Sequence, residues 1–153
     1  MPVVLAAVAD TPYNIVLLLH IATAMAAFAP LFVNPVVANQ LATLPPEGRS
    51  PVWGFLAANS RRIHGPALIV TGVLGFGLSG MSDDVYALSQ GWLIASIILW
   101  LAMNGILHAV LVPAERALAA GDDSAKRRVD VFGPVMALLL VVMLYLMVFK
   151  PGA

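Results

Sequence analysis

Residues 85–114, VYALSQGWLIASIILWLAMNGILHAVLVPA, run for thirty positions without an Asp, Glu, Lys or Arg. A helix rises 1.5 Å per residue, so about 20 residues cross the ~30 Å hydrocarbon core of a bilayer, and this stretch is long enough to span it. Working outward, the sixteen charged residues leave three more such gaps, 11–46, 63–82 and 131–149, of 36, 20 and 19 residues. The pattern predicts an all-α fold, a four-transmembrane-helix bundle forming a single membrane domain over 1–153. Its spans are expected at about 13–37, 63–81, 91–113 and 131–149.

Composition agrees. The chain is 61% hydrophobic and 10% charged, with a mean hydropathy of +0.93. A soluble domain carries about 25% charged residues, so an ordinary soluble enzyme is excluded. So is a disordered chain, which needs low hydrophobicity and high charge. The absence of cysteine excludes disulfides, iron–sulfur clusters and thiol catalysis. A formal net charge of zero gives no reason to expect a nucleic-acid partner; the expected partner is the lipid bilayer. Ala7-Val8-Ala9 has the small-x-small look of a signal-peptide cleavage site. No base precedes it and the apolar run before it is very short, so residues 1–10 read as an extramembrane tail or a first helical turn.

Orientation follows from the bases. Arg49, Arg61 and Arg62 lie in the 38–62 connection, and Arg116, Lys126, Arg127 and Arg128 in the 114–130 connection; only Lys150 lies on the other side. The opposite turn, 82–90, carries Asp83 and Asp84 alone. The positive-inside rule then puts both termini outside and the two basic connections in the cytoplasm, as expected for a multi-pass protein of a bacterial inner membrane.

Prolines and glycines punctuate the spans. Gly65-Pro66 and Gly133-Pro134 sit near the starts of helices two and four, where a missing N–H is tolerated. The two pairs, each preceded by two arginines, form a faint echo that would fit tandem helical hairpins. Pro30 and Pro35 predict a kink or break in helix one, with freed carbonyls that need partners on neighbouring helices. Residues 45–51 read as a turn-rich break, and 52–62 either extend helix two or lie along the headgroups. Residues 114–121 continue helix three to a stop at Gly121. Tyr13 and Trp92 suit an interfacial aromatic belt.

Intramembrane polar groups are the functional candidates. His108 lies ~24 Å from Trp92 and His64 ~27 Å from Ser82, so the two share a depth near the basic side, whereas His20 is only ~10 Å from Tyr13. The sharp reading of His64 and His108 is a bis-imidazole haem b site between helices two and three, with Arg61 and Arg62 on the propionates. The competing reading gives each histidine an ordinary interfacial or interhelical hydrogen bond. Trp100, Asn104, His108 and Glu115 lie close to one face of helix three, and His20 and Asn34 mark a related face of helix one. Asn34, Asn104 and His108 would line a pathway for protons, a small solute or a metal ion, or would simply bridge helices. Gly72, Gly75 and Ser79 read as a packing seam, internal or between subunits. The seven methionines suit Cu(I) thioether chemistry but equally well core or lipid packing, and no metal site is expected. Catalytic residues are not expected either: the spans hold no carboxylate, lysine or arginine, and Ser96 lies ~18 Å along the helix from His108.

The segment Leu17-Leu18-Leu19-His20-Ile21-Ala22, the Leu111-Val112-Pro113 exit of helix three and the Val148-Phe149-Lys150-Pro151-Gly152 end carry a resemblance. Together they resemble the small bacterial four-helix membrane proteins catalogued as domain of unknown function 2269. More distantly, the layout is similar to the membrane domain of copper-resistance protein D and to the membrane protoporphyrinogen oxidases. The latter resemblance implies haem b on His20, although the lysine those oxidases carry in a later helix has no counterpart here, and Thr23-Ala24-Met25-Ala26-Ala27-Phe28 replaces their aromatic-glycine run. The leading expectation is a non-enzymatic membrane subunit or scaffold, as a homo-oligomer or with a membrane-protein partner. The alternatives are a haem b electron carrier using two of His20, His64 and His108, and a small-solute or metal-ion pathway.

Overall fold

The computed structural model describes Val8 and residues 10–152, so the reading of residues 1–10 falls almost wholly outside the described residues. The first span comprises α1 (Thr11–Phe28) and α2 (Pro30–Leu41). The second comprises α3 (Pro46–Asn59), a π turn (Ser60–His64) and α4 (Gly65–Gly80). The third comprises α5 (Gly91–Ile106), a second π turn (Leu107–Leu111) and α6 (Val112–Ala119), and the fourth is α7 (Lys126–Phe149). No strand occurs among the described residues. All four spans are long and apolar enough to cross a membrane, and the chain is an all-helical, multi-pass membrane protein.

The bundle turns its apolar side chains outward. Met25 and Phe32 are each 71% exposed, and Leu18, Ile98, Leu138 and Val148 are exposed with them. Continuous apolar surface of this kind is rare on a water-soluble monomer and is what a hydrocarbon solvent requires. The interior is narrow. Leu68, Met103, Phe28, Leu107, Met136 and Leu140 fill the middle, Trp53, Leu56, Ala114 and Leu118 the basic end, and Trp92, Leu93 and Leu146 the other. The closest pairing is α1 against α4, followed by α3 against α6 and α5 against α7; α4 and α5 touch much less.

Some expectations are corrected and others are met. Residues 46–51 are helical rather than a break, because Pro46 occupies the first turn, where no N–H is required, and Glu47 faces the helix's positive end. The turn is confined to 42–45 and is tied by Arg49 Nε donating to the Leu44 carbonyl at 2.7 Å. The second span therefore runs 35 residues from Pro46, so 52–62 extend the helix. The third continues through Ala119, and Gly121 takes the left-handed conformation (φ 88°) that stops it. Tyr13 and Trp92 do not stand in a lipid-facing belt: each is 5% exposed. Trp92 is turned inward by its bond to Gln90 Oε1 at 2.9 Å and an edge-on contact with Tyr86.

The echo between Gly65-Pro66 and Gly133-Pro134 has no backbone counterpart. The former follows a π turn, whereas Pro134 lies inside continuous α-helix. The backbone likeness is between helices two and three. Gly65 N–H reaches back to Ser60 O and Val112 N–H to Leu107 O, five residues each, and Pro66 and Pro113 follow directly. A proline ring presses on the carbonyl four residues back and offers it no donor, and the wider turn relieves that crowding.

Candidate functional site

The break in the first span organises the site. Pro30 has no N–H, so the Ala26 carbonyl loses its helical donor. His64 Nδ1 supplies one from the second span at 2.8 Å. A carbonyl can only accept, so Nδ1 carries the proton and a neutral ring is left with Nε2 as a free acceptor. His20 is set the same way further along the seam, with Nδ1 donating to the Thr71 carbonyl at 2.8 Å. Its ring lies against Gly75, where a Cβ would stand 3.3 Å from Cε1. The Thr71 hydroxyl reaches Thr23 Oγ1 at 3.0 Å and its own helix at Ala67 O at 2.8 Å.

Beyond the break, spans one and two part around a cavity of about 160 Å³ bounded by Pro30, Val33, Asn34, Leu56, Asn59, Ser60 and His64. That volume has room for several waters. Behind it lies Glu115, 4% exposed, with Asn34 Nδ2 donating to Oε1 at 3.4 Å and the Ser60 hydroxyl alongside. Its second oxygen, Oε2, is buried and has no hydrogen-bond partner. Asn34 and Ser60 thus face the cavity and the carboxyl together. A buried carboxylate surrounded by neutral groups is costly unless it takes up a proton or a cation.

The expected candidates are distributed differently. Asn34 joins Glu115, but Asn104 donates to the Trp100 carbonyl of its own helix at 2.8 Å and leaves Oδ1 buried without a partner. His108 is exposed, with its ring over Gly65. No hydrogen bond joins Asn34, Asn104 and His108, so the polar face splits. The π turn at Leu107–Leu111 takes one more residue than an α turn and rotates Glu115 away from the line through Trp100 and His108. Trp100 Nε1 donates to Leu68 O at 2.8 Å and its indole rests on Gly72, where a Cβ would collide with it. Gly72 therefore receives helix three and Gly75 helix one, while Ser79 Oγ donates to Tyr86 O at 2.6 Å. The small residues serve two internal contacts and a turn.

A haem between helices two and three does not fit these residues. His64 is tied to helix one, and His108 itself fills the space over Gly65, where a Cβ would lie 2.6 Å from Cε1. The cavity at His64 is below the ~300 Å³ lower bound for drug-sized ligands. Sequence spacing matched the depths of the two histidines, but depth says nothing of the direction in which a ring points. Sequence spacing put Glu115 on the face of helix three with Trp100, Asn104 and His108, but gave no sign that it meets Asn34 of helix one.

Comparison of the chain with family models, curated proteins and solved structures finds no match.

Proposed function

We propose that the chain is a small proton-conducting subunit of a bacterial inner membrane, with Glu115 as its proton-loading group on the cytoplasmic side. The observation that carries this reading is the buried Glu115 carboxyl, whose Oε2 has no partner and whose neighbours Asn34 and Ser60 line the cavity at the helix break. Past the cavity, His64 and then His20 stand along the seam between spans one and two, each presenting Nε2 as a proton acceptor. The carbonyl bonded by His64 lies six residues after His20, ~9 Å along the helix, and the Thr23 hydroxyl, bonded by Thr71 Oγ1 at 3.0 Å, falls within that interval. Ionisable groups within spans commonly form proton relays of this kind, and irregular backbone at depth is tolerated where it lines a cavity.

The full-length protein reconstituted into sealed vesicles should dissipate an imposed pH gradient under a potassium diffusion potential, as followed with a pH-sensitive dye. Glu115→Gln, which keeps shape and hydrogen bonding, should abolish the flux, and His108→Leu should leave it intact. Equal flux from wild type and Glu115→Gln would overturn the reading. Vesicles that hold their gradient in every case would return the chain to the role of a non-conducting membrane subunit.

A further inference from the structure

On the basic side, α3 and α6 pack through small residues and leave a notch of about 400 Å³ lined by Gly54, Ala57, Ala58, Ala119, Arg61 and Arg116. Gly54, Ala57, Ala58 and Arg61 recur at helical spacing along one stripe, and Gly54 faces Ala119, whose Cβ would lie 3.9 Å from a Cβ at the glycine. The small side chains make a floor, and the two exposed guanidiniums stand over it.

Neither guanidinium is neutralised. Among the described residues the only ion pair is Lys126–Asp130. The acid beside Arg116 in sequence, Glu115, is turned inward onto Asn34. Two like charges over a shared concavity repel unless an anion lies between them, and planar guanidiniums match phosphate oxygens in paired hydrogen bonds. Position supplies the identity of the anion. Arg61 lies 19 residues from Gly80, ~28 Å along the helix, which sets it one hydrocarbon thickness from the opposite end of the span. The notch therefore opens at headgroup level.

We infer that the notch between α3 and α6 seats the phosphodiester of an anionic phospholipid, gripped by Arg61 and Arg116. Basic pockets between spans on the cytoplasmic side are suited to such headgroups, and the notch volume falls in the range of small-molecule sites. The seat is independent of the proton-conducting reading, since neither arginine contributes to that path.

The test is native mass spectrometry of the intact protein released from neutral detergent after equilibration with equal amounts of phosphatidylglycerol and phosphatidylcholine. Wild type should retain phosphatidylglycerol about 30-fold better than phosphatidylcholine. Arg61→Gln/Arg116→Gln should bring that ratio close to one. Ala58→Leu, which fills the notch and leaves both guanidiniums, should lower it several-fold. Arg127→Gln/Arg128→Gln removes the same charge from the same side and should leave it unchanged. An equal fall in that last variant would reduce the effect to general surface attraction and overturn the seat. Displacement of the lipid by an equal concentration of inorganic phosphate would overturn the lipid assignment in favour of a soluble anion, and no lipid preference in wild type would overturn the proposal altogether.

Discussion

At the scale of single residues, the glycines separate contact from mere flexibility. Gly72 accepts the Trp100 indole and Gly65 the His108 ring, whereas nothing lies within 4 Å of a Cβ added at Gly105. Gly72→Ala must push the indole off its bond to Leu68 O. It should destabilise the protein by about 1–3 kcal/mol, the usual cost of overpacking a filled interior. Gly105→Ala should be neutral, or stabilising by up to about 1 kcal/mol from helix propensity. Thermal unfolding in detergent compares the two, and a matched loss at both positions would show that the indole contact is not what Gly72 provides. The run Gly72–Gly80 announces close packing in the sequence. It does not announce which neighbour each glycine receives, because Gly72 and Gly75, three residues apart, are neighbours on the helix surface and yet meet different partners, Trp100 and His20.

At the scale of elements, proline creates vacancies that other helices fill. The need for a partner near Pro30 is legible in the sequence; that His64 answers it at Ala26 is a fact of tertiary packing. This coupling can be measured. Pro30→Ala restores the N–H that the Ala26 carbonyl lost, so His64→Ala should cost less in that background than in wild type. A double-mutant cycle on unfolding free energy should return a coupling of about 1 kcal/mol, within the range for interhelical bonds in membranes. A coupling of zero would mean that the Ala26 carbonyl finds another donor when the histidine is gone. The π turns teach the same lesson from the other side. Pro66 and Pro113 each follow one, yet Pro134 sits in unbroken α-helix. Proline alone does not dictate the wide turn; at Gly65 and His108 the two wide-turned regions pack against each other.

At the scale of the whole molecule, charge sets the expected orientation. Seven of the eight bases lie on one side, so a C-terminal reporter active only in the cytoplasm should stay silent, and the same reporter inserted at Gly121, between the third and fourth spans, should be active. Activity at the C-terminus would invert the orientation and move Glu115 and the arginine notch to the outer face. The sequence by itself determined the number of apolar spans and the asymmetry of the two faces. Each of these depends on length and on the cost of placing charge in hydrocarbon, and both are local properties of the chain. Tertiary structure alone decided which polar groups meet. Side-chain direction depends on helix phase, and each π turn shifts that phase by a residue, so Asn104 and His108 part from Glu115 although spacing aligned them. The meeting of Glu115 with Asn34 joins residues 81 positions apart. Only packing between the third span and the broken end of the first could bring them together, through a rotation that no regular helical period encodes.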